Sequence, residues 1–527
     1  MNEIESLIFL LGAAALLAQL ARVLGVPYPI FLVIGGLAIG FVPGLPVVQI
    51  APEVIFIIFL PPLLNAAAFS SSPLDLRAHL RPIVLLAIGL VLATTCAVAA
   101  LAHFLIDLPW AGAFVLGAIL APTDPVAAEA IFRRLGVPER VGTVVGGESL
   151  INDGTGLAAF RVALAAVGGS FSFWEAGLQF VLIGGGGIFV GLILAWAILP
   201  LWARLREPSI LITFSVLIPY GVYILAEEIL HVSGILAVVT YGLYQGWKAP
   251  RLFPDASTRL QALSFWGVLI FVLEALLFIL VGQQLPTIVG ELGEYTFSQV
   301  LLYAALIYGV VLGARFVWFF TTPYLHPVFN RLLRNRYLRA PWQERLVMSW
   351  SGMRGAVSLA AALAVPVTIG GERFEGRDLI LFLTFAVILA TLVLQGLTLS
   401  PLIKALRLKG DENTGALEEL RARLEGARAA LERLERLSAV EGVPSEAQEQ
   451  MRDSYEGRIQ RYEAGIEAGG TTEEYAQSSA AWRNWRRALI TAERKAIVSL
   501  RDKGEISPEV MRRIERDLDL EESRIGG

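Results

Sequence analysis

Cysteine is almost missing from this chain of 527 residues. Cys96 stands alone in an apolar run, which excludes an intrachain disulfide and a thiolate metal cluster and leaves it the role of a small hydrophobe. Histidine is scarce as well. His79, His103, His231 and His326 are widely separated near the ends of apolar runs, without metal-ligand spacing and with no obvious place as a catalytic base. Charge is thin over most of the length, for 44 of the 90 Asp, Glu, Lys and Arg residues fall in the last 117 positions. The net charge of −4 therefore mixes two unlike parts, and nucleic acid is not an expected partner. The start of the chain carries Glu3 and Glu5 instead of basic residues and no small-residue cleavage site follows, so its first apolar run reads as a membrane span and not as a signal peptide.

Apolar residues are abundant. With 55% hydrophobic and 17% charged residues, the composition lies outside the range of soluble proteins. Windows long enough to cross about 30 Å of hydrocarbon, roughly 20 helical residues, fall at 4–24, 29–48, 53–69, 81–106, 109–135, 141–167, 174–202, 208–229, 233–247, 261–285, 297–325, 343–369 and 377–406. These thirteen spans predict an all-α polytopic membrane domain over residues 1–410.

Basic residues divide sharply between the two sides. Loops after odd-numbered spans hold Arg22; Arg77 and Arg81; Arg133, Arg134 and Arg140; Arg204 and Arg206; Lys248, Arg251 and Arg259; and Arg331, Arg334, Arg336, Arg339 and Arg345. Loops after even-numbered spans hold only Arg373 and Arg377, so the odd loops are expected in the cytoplasm, the N-terminus outside and the C-terminus inside. From 411 the chain turns polar. Leu417, Leu420, Leu424, Ala427, Leu431 and Leu434 repeat at spacings of three and four, as in a dimeric coiled coil or in one face of an intramolecular helical hairpin. Further helices are predicted near 445–468, 472–503 and 507–523, making residues 411–527 a helical cytoplasmic tail that stabilises or dimerises the rest.

Ionisable groups at membrane depth cost about 3 kcal/mol or more at a helix centre and tend to mark transport pathways. Span 5 carries Ala121-Pro122-Thr123-Asp124-Pro125 near its middle, where two prolines remove two backbone donors and should break the helix. Such a break offers carbonyls and helix ends to an ion. Asp124 can at the same time cap the second half-helix. Span 6 carries Glu148-Ser149-Leu150-Ile151-Asn152-Asp153, and at 100° per residue Glu148, Ser149, Asn152 and Asp153 share one arc of about 140°. Two carboxyls, an amide and a hydroxyl are oxygen ligands suited to a hard cation such as Na⁺ or Li⁺.

Two arginines inside apolar spans can neutralise these acids. Arg354 lies in Trp350-Ser351-Gly352-Met353-Arg354-Gly355-Ala356, whose glycines weaken span 12, and Arg315 lies in span 11. Spans 5 and 12 then match as discontinuous helices of two inverted repeats, 1–6 and 8–13, crossing at mid-membrane. Glu148 with Arg354 is the first expected ion pair; Arg315 with Glu148 or Asp124 is the second. Asp153 is assigned no arginine, which leaves it to hold either a proton or a cation. One carboxylate carrying one H⁺ or one Na⁺ predicts electroneutral exchange, whereas an aspartate in place of Asn152 would add a second titrating group.

The segments Thr123-Asp124-Pro125-Val126, Gly147-Glu148-Ser149-Leu150-Ile151-Asn152-Asp153, Gly352-Met353-Arg354-Gly355-Ala356-Val357 and Gln395-Gly396-Leu397-Thr398, in that order, resemble the monovalent cation/proton antiporters that include the sodium/proton exchangers, in particular the bacterial branch with a cytoplasmic helical tail. The resemblance covers the whole membrane domain. It implies a homodimer in the bacterial inner membrane, with residues 1–106 (span 4 included) and 208–290 mainly as dimerisation scaffold and 109–167 and 297–406 mainly as an ion-binding core that moves like an elevator. It implies Asp153 as the essential ion-binding carboxylate, Thr123, Ser149, Glu148 and Asp124 at or beside the ion, with Asn152 preceding the carboxylate as in the electroneutral branch. Asp153, Ser149, Thr123 and Glu148 are then the expected Na⁺ ligands, Arg354 the core arginine, and pH homeostasis and sodium tolerance the expected roles; no cofactor is implied beyond the transported Na⁺, Li⁺ or K⁺ and H⁺.

Two residues sit apart from that pattern. Asn65 and Ala66 follow Leu60-Pro61-Pro62-Leu63-Leu64, where the family commonly carries an acid, so span 3 loses an expected means of attracting cations. Glu274 is an acid within span 10 with no assigned partner and reads as structural or peripheral. Among competing readings, a K⁺/H⁺ antiporter shares the mechanism, and a gated cation channel could use similar ligands, although a buried ion pair would obstruct a pore. A hydrolase is disfavoured because Ile151 stands where the closing glycine of a nucleophile elbow belongs.

Overall fold

A backbone surrounded by hydrocarbon must satisfy its N–H and C=O groups within its own segment, and the long apolar windows accordingly become helices. The computed structural model describes residues 3–42, 56–167, 173–202, 204–205, 207–252, 256–284, 286, 288, 296–322, 340–369, 372–374, 376–410, 412–438, 445–469, 473–503 and 505–526. Arg206, Arg331, Arg334, Arg336 and Arg339, used above to assign sidedness, lie outside the described residues, as do parts of the second, third, tenth and eleventh windows.

The chain divides into two units, 1–409 and 410–527. In the first, α1 (Glu3–Leu24), α2 (Tyr28–Gly40), α3 (Leu60–Ser70) and the short α4 (Pro73–Ala78) lead into α5 (Leu80–Ile106). Two half-helices follow, α6 (Trp110–Leu120) and α7 (Val126–Leu135), and then α8 (Glu139–Val167), α9 (Phe173–Trp202), α10 (Pro208–Ile229), α11 (Gly234–Leu252), α12 (Ala256–Gln283) and α13 (Phe297–Thr321). A second broken pair, α14 (Trp342–Trp350) and α15 (Ala356–Leu363), precedes a two-residue β-hairpin and α16 (Arg377–Ala405). The fold is all-α, as expected. Among the described residues, seven helices are long and apolar enough to cross a membrane on their own: α5, α8, α9, α10, α12, α13 and α16.

Packing groups these helices. α2 lies along α12, and α11 along α3 and α9, whereas α6 packs on α5 and α8, and α13 on α5 and α16. Wide π-helical turns interrupt α5 at Leu85–Leu90, α10 at Leu225–Ile229 and α16 at Thr391–Gln395. Two of the three adjoin charged groups discussed below, in keeping with the tendency of π-bulges to mark functional positions. α9 has much apolar surface left open, including Trp174, Phe189 and Trp196.

The second unit consists of α17 (Glu412–Ser438), α18 (Ser445–Glu467), α19 (Glu473–Asp502) and α20 (Pro508–Gly526), close to the predicted helices. Leu420, Leu424 and Ala427 of the leucine stripe are buried within the monomer. α17 packs on α18, with Arg428 bonded to Glu463 at 2.8 Å, which is the hairpin alternative for that stripe. Ile490 and Leu518 are buried between α19 and α20, flanked by Arg494 pairing with Asp519 and Glu522.

Candidate functional site

The two helix breaks meet. Pro122 and Pro125 flank the α6–α7 gap, and within it the Asp124 N–H donates to Met353 O of the other break at 2.7 Å. Asp124 Oδ1 accepts from the Val126 N–H at 3.0 Å, capping α7 as a helix N-terminus demands. At the end of α6 the free carbonyls meet a charge. Arg354 Nε donates to Leu120 O at 3.1 Å, and its Nη1 donates to Gly352 O, so one guanidinium fastens the C-terminal carbonyl of one half-helix to the second break. The backbone of Arg354 is held in turn by Thr391 Oγ1, in the π turn of α16, at 3.1 Å.

The glycines of the second break make room for side chains. A Cβ on Gly352 would come within 2.6 Å of Arg315 Cδ and Nε, and a Cβ on Gly355 within 1.9 Å of Asp124 Oδ2. Gly355→Ala is therefore expected to force the breaks apart, at an overpacking cost of about 1–3 kcal/mol, and to slow transport per folded molecule about tenfold or more. Native turnover by a monodisperse Gly355→Ala protein in vesicles would contradict this packing.

The polar arc of α8 is split between two neighbourhoods. Its Glu148–Asn152 edge is sealed. Glu148 forms a bidentate pair with Arg315, Oε2 to Nη2 being 2.8 Å, and both side chains are all but inaccessible. Arg315 also donates through Nε and Nη2 to Met348 O, at 3.2 and 3.1 Å, and its guanidinium centre lies 5.2 Å from the Phe319 ring centroid. Asn152 Nδ2 donates to Thr123 Oγ1 at 2.8 Å, while its Oδ1 is buried without a partner.

These contacts decide between two expectations. Arg354, the first partner expected for Glu148, is occupied by backbone carbonyls, and it is Arg315 that meets the acid. Both Glu148 oxygens are engaged by that guanidinium, which is the second of the two expected pairings, and the neighbouring cavity is lined by Ser149 and Asp153 but not by Glu148.

The Ser149–Asp153 edge faces a cavity of about 600 Å³, which also reaches Thr123, Asp124 and Ser358. Among the described residues Asp153 has no hydrogen-bond or ion-pair partner, although it is only 7% exposed. From there the cavity runs toward Ser70–Ser72 and Gly136–Glu139 in the loops after α3 and α7. Six acids line it, Asp75, Asp124, Glu129, Glu139, Asp153 and Glu274, against one base, Arg133. Glu274 is thus neither remote nor alone, for Tyr28 donates its hydroxyl proton to Glu274 Oε2 across the α2–α12 contact. Asn65 is buried and lies off the cavity wall. Sequence reasoning passed over Glu129, which reads as a surface i,i+4 partner of Arg133, and Ser358, whose only signal is a hydroxyl in the first turn after a break.

Two interrupted helices joined at their gaps, with an unpaired carboxylate at the end of an acidic cavity beside them, define a secondary transporter of the discontinuous-helix class. The family model described as "Sodium/hydrogen exchanger, transmembrane" matches residues 9–405. An uncharacterized Na⁺/H⁺ exchanger of Mycobacterium tuberculosis is 35% identical over 505 residues, covering 94% of this chain and 91% of that protein. The Na⁺/H⁺ antiporter ApNhaP of Aphanothece halophytica is 34% identical over 451 residues, 84% and 82% of the two chains. The solved structure of the sodium proton antiporter MjNhaP1 from Methanocaldococcus jannaschii shares the fold, with a TM-score of 0.61 over 77% of this chain and 98% of that one at 24% identity. The chain belongs to the sodium/hydrogen exchanger family, and is a multi-pass membrane antiporter of monovalent cations and protons.

Proposed function

We propose that the chain exchanges Na⁺, or Li⁺ or K⁺, for H⁺ at Asp153, one for one. The observation that carries this reading is a nearly buried carboxylate without a partner at the inner end of an open acidic cavity. An unpaired anion there is costly, and either a proton or a dehydrated cation relieves the cost. Ser149 Oγ, Thr123 Oγ1 and Asp124 supply further oxygens at the same wall, as suits a hard cation. Asn152 holds the Thr123 hydroxyl in place. The acids along the cavity raise the local cation concentration in the way a charged cleft does, which replaces the attraction that Asn65 does not provide.

The loops at the cavity mouth are those that follow odd-numbered spans and carry the arginine excess, so this conformation opens to the cytoplasm of a bacterial inner membrane, with the N-terminus outside. Alternating access then requires the unit bearing the two breaks, α6–α8 and α13–α16 with α5 packed on it, to shift like an elevator against α1–α3 and α10–α12. A homodimer would place the second set at the subunit contact. A channel is disfavoured, since the residues of α8 that line the cavity end at Asp153. Cytoplasmic pH homeostasis and sodium tolerance follow as cellular roles.

Purified protein in liposomes provides the test. Addition of Na⁺ should dissipate an imposed pH gradient at a rate unchanged when the membrane potential is clamped at zero or at about −100 mV, where each uncompensated charge would feel about 2.3 kcal/mol. Dependence of the steady state on potential at fixed ion gradients would refute one-for-one exchange, and flux without proton coupling would refute the carrier.

A further inference from the structure

On the side of Asp153 away from the cavity, α8 carries a second membrane-embedded ion pair, Arg161 with Glu227 of the π turn in α10. Eight residues separate Arg161 from Asp153, about 12 Å along the helix axis. Between them Leu157 and Phe160, which continue the Asp153 face at helical spacing, are both buried. This half of α8 is pressed onto α11, because a Cβ on Gly154 would come within 2.4 Å of Leu236 Cγ. Glu227 makes a second contact at the same place. Its Oε2 accepts the Gly234 N–H at 2.8 Å, at the first residue of α11, while its other oxygen meets the guanidinium. Glu227 is nearly buried and Arg161 partly exposed, so the pair sits where the protein interior gives way to its surroundings.

We infer that Arg161 and Glu227 are positioning residues for transport: their ion pair ties the helix bearing the exchanging carboxylate to α10 and α11 on the closed side, and must part before Asp153 can be reached from there. The inference rests on the alternating-access reading above. The cavity reaches Asp153 along the N-terminal half of α8, so access from the other end requires the buried Leu157 and Phe160 to be uncovered as this half of α8 parts from α11 at Gly154 and Leu236, and Arg161 moves with it. Removing the charge of either partner lowers the cost of that separation and shifts the population toward the opposite-facing state.

The experiment measures conformation directly, independent of transport. In a Cys96→Ala background, a single cysteine replaces Leu157, and a membrane-impermeant cationic thiol reagent is added from the side opposite the cavity. Phe160→Cys serves as a second reporter should the first disturb folding. Arg161→Gln and Glu227→Gln should each speed labelling about tenfold, and the double replacement should be no faster than either single one, as for two residues that act as a unit. Glu227→Gln keeps an oxygen able to accept from the Gly234 N–H, which separates loss of charge from loss of the cap. Thr143→Cys, on the cavity wall, should not gain reactivity from the cavity side in these variants.

Native labelling rates in both single variants would overturn the inference. So would a double variant whose effect is the product of the singles, or a faster Thr143→Cys reaction, the mark of general loosening. If the proposed exchange at Asp153 fails its own tests while labelling behaves as stated, the error lies in the transport reading and not in the latch.

Discussion

Asp153→Asn is expected to abolish cation-driven proton exchange while leaving a folded, monodisperse protein. The side chain is nearly buried and has no hydrogen-bond or ion-pair partner among the described residues, so an amide of the same shape should cost the fold little. Transport should suffer far more. A Na⁺ ion about 2.4 Å from a carboxylate oxygen, at an effective dielectric constant of about 20, is attracted by about 7 kcal/mol. Even if ion dehydration offsets half of that, the neutral side chain would bind the cation more than about a hundredfold more weakly, and it also cannot exchange a proton near neutral pH. Both legs of the cycle should disappear together. Fluorescence dequenching in proteoliposomes, with Na⁺, Li⁺ and K⁺ in turn, is the measurement. A variant that still exchanged at the native rate with proton coupling intact would show the reactive carboxylate to be another, with Asp124 and Glu274 the next candidates on the same cavity wall.

The opposite pattern is expected at the sealed edge of α8. Arg315→Ala leaves the Glu148 carboxylate in a dry pocket and strips two donors from Met348 O, at an expected cost of about 3–5 kcal/mol. That is a large share of the 5–15 kcal/mol typical of a folded domain. Yield and thermal stability in detergent should fall steeply, as they should for Glu148→Ala, which strands the guanidinium instead. Combining Glu148→Gln with Arg315→Gln removes both charges and should recover much of the loss. Were each single variant as stable as the native protein, Glu148 would have to be reached by solvent or protonated, contrary to its sealed geometry.

How legible each part was depends on how local its cause is. The broken helices could be read directly, because Pro122 and Pro125 act on the backbone at their own positions. The polar arc of α8 was likewise legible, since helical spacing alone brings Ser149 and Asp153 onto one edge. Pairing was harder. Arg315 and Arg354 both lie in apolar helices, and which of them reaches Glu148 depends on how α13 packs beside α8; the two partners are 167 residues apart in sequence. Arg354 was expected to seek a carboxylate, whereas the break itself created carbonyls that compete for it. Tyr28 gave no hint of Glu274, because an aromatic at the start of a span usually marks the membrane interface. Asn65 shows the converse: the altered position in a familiar segment lies off the wall of the cavity, which other acids line.

The reach of the cavity has an electrical consequence. If solvent follows it to Asp153, the insulating layer between the two aqueous phases shrinks from the full hydrocarbon thickness of about 30 Å to the stretch of α8 near Leu157 and Phe160, on the order of 10 Å. Most of the transmembrane voltage then drops across that thin septum, so the field there is about threefold steeper than in the surrounding lipid. A short displacement of one helix bundle is enough to carry the bound ion across nearly the whole potential difference.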